Sequence, residues 1–210
     1  MKWVTGCVYY DRENFADRYI ATGKTFAIAD GMGIGKGAVL SAEKAISLLK
    51  EFEPYLSEDY IKETFKKINK EIIKEIGKLG DSVISGTTLS LLSLNENKFL
   101  IGHIGDSRIY RLRKGKLERL TEDHVKYKGN KKIVRVLGLE WNPEIQTLSG
   151  ELEKGDTFLL ISDGFLNVIS EGEIRDILLS EDLERSKETL KEIFRKRAKK
   201  GELAFIIVKP

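Results

Sequence analysis

Three aspartates in this chain each stand beside a glycine at the end of an apolar run. Asp30 ends the run FAIAD, Asp163 ends FLLISD, and Asp106 follows LIGHIG. Short apolar runs of this kind are consistent with buried strands, and a carboxylate at a strand end is fixed in place yet faces an open crevice. Such oxygen ligands suit magnesium or manganese better than zinc. A capped tight turn explains any one of these aspartates, but it explains the set less well.

The glycines after Asp30, in the stretch GMGIGKGA, raise a second chemistry, that of a phosphate-binding loop. A Walker-type loop needs a glycine where this chain has Asp30, and a serine or threonine where it has Gly37. A dinucleotide-binding loop needs a third glycine where the chain has Lys36. Both patterns fail, so the sequence leaves a metal ligand or a simple turn as the interpretation of Asp30.

The surrounding pattern predicts the elements that position these acids. Residues 3–10 and 18–30 are rich in β-forming residues and predict strands, with a turn at a Thr-Gly pair. Helical spacing of apolar residues begins at Lys36, and a second helix is predicted to begin after Ser57, which is suited to be an N-cap. Further strands are predicted over 87–94, 98–105, 107–113, 156–163 and 203–209, and one or two helices over 171–198. The result is one α/β domain over 1–210, with paired helices between groups of antiparallel strands.

Composition excludes several classes of protein. The 210 residues are 41% hydrophobic and 33% charged, with a net charge of +3 and interleaved lysine and glutamate, so no nucleic-acid or membrane partner is indicated. Cys7 is the single cysteine, which excludes a disulfide framework and a cysteine-based zinc site. No apolar run approaches the roughly 20 residues of a membrane helix, and the first residues lack the apolar core of a signal peptide. We therefore expect a cytoplasmic protein.

The ordered motifs of the chain resemble those of the metal-dependent protein phosphatases of the type-2C class. They are FAIADGMG, SGTTLSLLSL, FLIGHIGDSRIYRLRKGKLERLTEDH, IVRVLG and DTFLLISDG, and the resemblance runs from about Arg12 to Lys209. It implies a four-layer α-β-β-α sandwich, an α/β (α+β) fold of two antiparallel sheets flanked by pairs of helices. It also implies two or three Mn²⁺ or Mg²⁺ ions and removal of phosphate from phosphoserine or phosphothreonine by a metal-activated water.

The same resemblance implies roles by position. Asp30 matches the carboxylate that bridges two ions, the Gly31 carbonyl a ligand of one ion, and Asp163 a ligand of the other. Asp106 matches an acid that helps to hold a third, weaker ion. Arg12 matches the arginine that holds the substrate phosphate, where a guanidinium fork suits a tetrahedral dianion.

The N-terminal motif departs from the family pattern Arg-x-x-Asn-Glu-Asp. With Arg12 aligned, Ala16 occupies the usual position of an acid ligand and Asp17 is kept. An alternative alignment pairs Asn14 with the family asparagine and puts Asp17 one residue out of register. The stretch ADRY resembles a branch of the family in which one aspartate before a tyrosine-containing strand serves this metal. Asp17 is therefore the candidate replacement for the missing ligand.

The C-terminal motif also departs from the family. The family has Asp-Asn/Asp-x-Thr before an apolar strand, and Gly201 stands here in place of the metal-binding aspartate. Glu202 is the candidate substitute ligand because its side chain is longer. A shift of one residue along a strand turns a side chain to the opposite face, so we expect Glu202 to point away from the ions.

The segment between LTEDH and IVRVLG is shorter than the flap that the family carries beside its active site. Only the lysine-rich residues at about 125–132 lie between these motifs, and they predict a short basic surface loop. Such a loop could attract phosphorylated or acidic substrates, although a solvated loop with no such role explains it as well.

Two functions remain open from the sequence. The first is a metal-dependent protein serine/threonine phosphatase that works with a reduced ligand set. The second is a weak or inactive pseudophosphatase that serves as a phosphoprotein-binding or regulatory module. In either case the expected partners are a phosphorylated protein and a partner Ser/Thr kinase, and the chain is expected to be a monomer that binds neither nucleic acid nor membranes.

Overall fold

The structure, a computed structural model, describes residues 1–10, 15–33, 35–51, 57–80, 83–128, 130–133, 135–165 and 168–210, with the main chain alone at 51, 126–128 and 130–133. In chain order the strands are β1 (Lys2–Tyr9), β2 (Arg18–Ala21), β3 (Thr25–Ala29), β4 (Gly31–Gly33), β5 (Ser85–Thr87), β6 (Leu89–Asn95), β7 (Lys98–Ile104), β8 (Arg108–Arg113), β9 (Lys116–Arg119), β10 (Val125–Lys128), β11 (Asn130–Ile133), β12 (Gln146–Glu151), β13 (Thr157–Ile161) and β14 (Glu202–Lys209). The helices are α1 (Lys36–Glu51), α2 (Glu58–Gly77), α3 (Glu171–Leu178) and α4 (Leu183–Arg197), and Asp163–Phe165 form a 3-10 turn.

Two five-stranded antiparallel sheets form the centre of the domain. The first has the strand order β1-β14-β13-β8-β9, and the second has the order β12-β7-β6-β3-β2. The first sheet joins the two ends of the sequence, since Lys2 lies opposite Lys209 in the β1–β14 pair. Two short two-stranded antiparallel sheets, β4–β5 and β10–β11, complete the strands of the described residues.

Three apolar layers hold the sandwich together. One lies between the second sheet and the pair α1 and α2, and another between the first sheet and the pair α3 and α4. The third lies between the two sheets and includes Phe26, Ile101 and Phe158. Strand β14 is buried on both faces because helices cover one side of it and the other sheet covers the opposite side. The four-layer α-β-β-α fold that the sequence predicted is therefore confirmed.

Helix α2 begins as its sequence indicates. Ser57 is the N-cap with extended backbone angles (φ −140°, ψ 126°), and its hydroxyl accepts a hydrogen bond from the Tyr60 N–H. Apolar residues at helical spacing, among them Ile61, Phe65 and Ile68, are buried against the second sheet. Burial of each such side chain stabilises the fold by about 1.5–3 kcal/mol. This gain outweighs the small free-energy penalty of placing β-branched residues in a helix.

Sequence patterns missed two features of the fold. The edge strand β12 pairs with β7, but its residues, QTLSGE, carry no run of apolar side chains that would predict a strand. None of these side chains is fully buried. The segment at about 125–132 was expected as a loop, but its described residues pair as the antiparallel β10–β11 hairpin. Edge strands and two-stranded hairpins are held by main-chain pairing, which leaves a weak signal in the sequence.

Candidate metal centre

Three carboxylates meet at one edge of the sandwich. Asp17, Asp30 and Glu202 each offer an oxygen atom, and these three atoms lie within 4.8 Å of one another. Asp17 immediately precedes β2, Asp30 lies between β3 and β4, and Glu202 begins β14. Strand β14 belongs to one sheet, and β2 and β3 belong to the other. The cluster therefore forms only when the two sheets pack together.

The expectation that Glu202 points away from this cluster is wrong. Ala204, Ile206 and Val208 on β14 face the space between the sheets, and two-residue alternation puts Glu202 on that same face. Its Oε2 accepts hydrogen bonds from the backbone N–H groups of Ala16 (2.8 Å) and Asp17 (3.4 Å).

Gly201, which stands where the family has an aspartate, has an unusual backbone conformation. It has a φ of +97°, a value that side-chain-bearing residues rarely adopt, and a Cβ atom placed there would meet nothing within 4 Å. Position 201 therefore lies off the strand geometry, and position 202 supplies the carboxylate.

The other predicted site residues lie around this cluster or outside the described residues. Asp163 opens the 3-10 turn after β13, and Asp106 follows β7. Both carry charges that act on the Asp30 carboxyl, so both lie close to it. Gly31 pairs with Thr87 in the β4–β5 sheet. Arg12 lies outside the described residues, and its role remains a prediction.

Hydrogen bonds from two threonines fix the main chain of Asp30 on both sides. The Asp30 N–H donates to the Thr88 hydroxyl (3.0 Å), and the Asp30 carbonyl accepts from the Thr87 hydroxyl (3.0 Å) and from the Thr88 N–H (2.9 Å). Both threonines are buried. These hydrogen bonds therefore hold the main chain of Asp30 in place, which limits the positions that its carboxylate can take.

Asp17 is the most deeply buried acid of the cluster, with 1% of its surface exposed. Its Oδ2 accepts a hydrogen bond from the Ser162 hydroxyl (2.7 Å), whereas Oδ1 is buried with no hydrogen-bond partner among the described residues. Burial, and then the charge of Glu202, raise the pKa of Asp17 to about 8, although the Ser162 hydrogen bond opposes the shift. An unpartnered buried carboxylate oxygen is costly unless something positive binds it.

The pKa values of the other two acids of the cluster, Asp30 and Glu202, are raised as well. Burial and the charge of Asp17 raise the pKa of Asp30 well above its usual value, and burial also raises the pKa of Glu202. A divalent cation would remove this repulsion, and carboxylate oxygens are the ligands that Mg²⁺ and Mn²⁺ prefer. The three carboxylates, and the Oδ1 of Asp17 that has no hydrogen-bond partner among the described residues, therefore fit such an ion.

We expect the metal-free protein to lose stability as the pH rises from about 4 to about 8. Asp17 has a pKa of about 8 in the fold and an ordinary value of 3.8. In this range the unfolded chain releases the proton first, so each pH unit costs the folded state about 1.4 kcal/mol per such group. Below about pH 4 both states are protonated and the penalty is absent.

Thermal melting in a chelator at several pH values measures this effect, with Asp17→Asn as the matched control. The control should show a shallower decline of melting temperature with pH, because position 17 no longer titrates. Equal slopes for the parent and Asp17→Asn would contradict the assignment.

Two glycines permit the close backbone contacts that this edge requires. A Cβ atom at Gly31 would lie 2.2 Å from the Ala38 carbonyl oxygen of α1, and one at Gly164 would lie 2.1 Å from the Glu202 carbonyl oxygen. Both distances are shorter than any real contact. The Asp-Gly pairs of the sequence thus serve packing, because each glycine lets the turn after an acid lie directly against a neighbouring element.

Sequence reasoning missed two hydroxyls that support the site. Ser162 binds Asp17 and also accepts the Ala204 N–H (2.9 Å), and Ser107 lies 2.8 Å from the Thr88 hydroxyl. Each serine is the direct neighbour of a candidate ligand, in the motifs SDG and GDS. Their position next to a candidate ligand is the sequence signal that could have identified these two serines.

Comparisons with known proteins cover nearly the whole chain. Residues 16–204 match the family described as protein phosphatase 2C. The serine/threonine phosphatase Stp of Listeria monocytogenes is 31% identical over 190 residues, which is 79% of this chain and 73% of the relative.

Two solved structures of the serine/threonine phosphatase PstP share the fold. The Mycobacterium tuberculosis protein has a TM-score of 0.89 at 23% identity, with 98% of this chain and 97% of that chain covered. The PstP catalytic domain in complex with two manganese ions has a TM-score of 0.85 at 24% identity, with coverage of 98% and 96%. Among the described residues, no helix is both long and apolar enough to span a membrane.

Proposed function

Because the chain belongs to the protein phosphatase 2C family, we propose that it is a metal-dependent protein serine/threonine phosphatase. The family resemblance identified in the sequence is confirmed by the match over residues 16–204. The observation that carries the activity is the cluster of Asp17, Asp30 and Glu202, whose oxygens converge within 4.8 Å although no aspartate stands at position 201.

Mn²⁺ or Mg²⁺ is the proposed cofactor, with two ions expected and a third at Asp106. Asp17, Asp30 and Glu202 would share the first site, and Asp163 and the Gly31 carbonyl would add ligands at the same edge. When bound, these ions supply Lewis acidity, which offsets phosphoryl charge and makes water a nucleophile near neutral pH. A PstP catalytic domain of the same fold holds two manganese ions, which supports this proposal.

The surrounding residues orient the carboxylates before any ion binds. Ser162 donates to one oxygen of Asp17 and leaves the other oxygen for the ion. Backbone N–H groups hold Glu202, and the two threonines hold the main chain of Asp30. Such preorganisation means that the acids need not rearrange when substrate arrives.

The proposed substrate is a phosphorylated protein that carries phosphoserine or phosphothreonine. Arg12 is the proposed phosphate-binding residue, since its guanidinium can donate two parallel hydrogen bonds to phosphoryl oxygens. A monomeric state, a cytoplasmic location and a partner Ser/Thr kinase remain predictions. Stp of Listeria monocytogenes, which is named a serine/threonine phosphatase, supports the choice of substrate class.

A pseudophosphatase is the second candidate, and Ala16 is the observation that favours it. Ala16 is 2% exposed and stands where the family has an acid ligand. The position of Glu202 favours the enzyme, because it restores a third carboxylate to the cluster.

Mn²⁺-dependent hydrolysis of an aryl phosphate and of a phosphothreonine peptide distinguishes the two candidates. We expect metal-dependent turnover by the parent and only background turnover by Asp30→Ala. Glu96→Ala, an exposed change in the β6–β7 turn, is the control and should behave as the parent does. Turnover by the parent no higher than that of Asp30→Ala, with retained binding of the phosphopeptide, would establish the pseudophosphatase instead.

A further inference from the structure

A line of buried hydroxyls leads away from Asp30 into the second sheet. The Asp30 N–H donates to Thr88 Oγ1 (3.0 Å), and Thr88 Oγ1 lies 2.8 Å from Ser107 Oγ. Ser90 Oγ in turn lies 3.3 Å from the Ser107 carbonyl oxygen. All three hydroxyl side chains are at most 1% exposed.

His103 extends this line to a second segment of the chain. Its Nδ1 lies 2.8 Å from Ser90 Oγ, and its Nε2 lies 3.0 Å from the Glu122 carbonyl oxygen. A carbonyl can only accept, so Nε2 carries the proton. Burial lowers the pKa of His103 to about 3, so the ring is neutral and Nδ1 accepts the single proton of the Ser90 hydroxyl, which the more distant Ser107 carbonyl shares only as a second, longer acceptor. One tautomer satisfies both ends of the ring.

The polar line is confined to one end of the layer between the sheets. Leu92 on β6 and Ile101 on β7 share the faces of Ser90 and His103, and both belong to the apolar layer. Ser90 and His103 are direct partners across the β6–β7 pair. The layer between the sheets thus changes from apolar to polar side chains toward the Asp30 turn. A buried polar group left there without a hydrogen-bond partner would destabilise the fold by about 1–3 kcal/mol.

The Glu122 end of the line lies just before the β10–β11 hairpin. His124 donates its backbone N–H to the Gly105 carbonyl (2.7 Å), and its Nδ1 accepts the Gly105 N–H (3.1 Å). Together with the bond between His103 and Glu122, these contacts fasten residues 122–124 to residues 103–105. Strand β10 begins at the next residue, Val125.

We propose that His103 is a positioning residue that holds the Asp30 turn and the base of the β10–β11 hairpin in one fixed arrangement. Two connections meet at its ring, one through Ser90 toward Asp30 and one through the Glu122 carbonyl toward the hairpin. Any effect of this arrangement on substrate rests on the proposed phosphatase function, whereas the connection itself does not.

Two substitutions separate the two connections. His103→Asn keeps an acceptor near the position of Nδ1 but is too short to reach Glu122. His103→Gln places an amide N–H near the position of Nε2 but offers Ser90 no acceptor. Ser93→Ala is the matched control, because Ser93 is buried on the same strand as Ser90 and lies outside the polar line.

Amide hydrogen exchange of the metal-free protein, followed by NMR, gives the test. Rates are referred to Leu160 in β13, which reports global opening of the other sheet. We expect His103→Asn to speed exchange at His124 at least tenfold and at Asp30 less than threefold. We expect the reverse for His103→Gln, and less than threefold at either amide for Ser93→Ala. Calorimetry should then show at least threefold weaker Mn²⁺ binding for His103→Gln only.

Equal changes at both amides in both variants, or no change in either, would overturn the proposal and leave His103 a packed core residue. If neither variant folds, the ring nitrogens of the parent decide the matter. The proposal requires a neutral ring with the proton on Nε2 from about pH 5 to about pH 8. A charged ring, or a proton on Nδ1, would refute it. None of these measurements requires phosphatase activity, so failure of the proposed function would be seen separately.

Discussion

Glu202→Ala is expected to weaken Mn²⁺ binding by about 10- to 100-fold and to lower Mn²⁺-dependent phosphatase activity by at least as much. Glu202 supplies one of three carboxylates whose oxygens lie within 4.8 Å, and the backbone N–H groups of Ala16 and Asp17 already hold its Oε2. Removal of the carboxylate would leave this cluster with two of its three carboxylates, whereas a divalent ion needs several oxygen ligands.

Calorimetric titration with Mn²⁺ and turnover of a phosphothreonine peptide measure this expectation. Glu202→Gln preserves size and one oxygen, so its affinity should fall between those of the parent and Glu202→Ala. Glu96→Ala removes a carboxylate from an exposed turn and should change neither quantity. Parent-like Mn²⁺ affinity in Glu202→Ala would show that Glu202 is not a ligand and that its contacts with residues 16 and 17 are only structural.

Asp30→Asn is expected to have opposite effects on stability and on activity. Without metal at about pH 8, the variant should be more stable than the parent, because it removes a charge that burial and the carboxylate of Asp17 disfavour. Its Mn²⁺-dependent hydrolysis should fall at least about 100-fold, since an amide is a poor ligand for a site built from carboxylates.

The stability difference should disappear at low pH. The folded pKa of Asp30 is raised, so the parent keeps its stability below the unfolded value of about 4 and loses it as the pH rises. Denaturant unfolding in a chelator at about pH 3 and about pH 8 measures both limits. Excess Mn²⁺ should stabilise the parent and have little effect on Asp30→Asn. A variant less stable than the parent at pH 8 would mean that another cation or hydrogen bond already neutralises Asp30.

Local patterns were sufficient for much of the fold. The N-cap at Ser57, the helical stripe that follows it and the long apolar strands around Asp30 and Asp163 are set by residues near in sequence. The strand β12 was missed because its stability comes from pairing with β7, which no pattern within QTLSGE reports.

Candidate ligands were partly predictable for the same reason. An acid that ends an apolar run and precedes glycine, as at Asp30, can be found by inspection. Whether Glu202 faces the cluster could not be found by inspection. Gly201 leaves the strand at a positive φ, and the register of β14 against β1 and β13 sets the face on which residue 202 lies.

The sequence by itself determined the family through its ordered motifs, and that resemblance implied the four-layer fold. Periodicity along the chain determined that acids stand at the ends of strands. Only the tertiary structure decided which acids meet. Asp17 and Glu202 are 185 residues apart and belong to different sheets, yet the packing of those sheets brings their carboxylates together. The connection from Asp30 to His103 likewise exists only in three dimensions, since each of its hydrogen bonds joins residues that are distant in sequence.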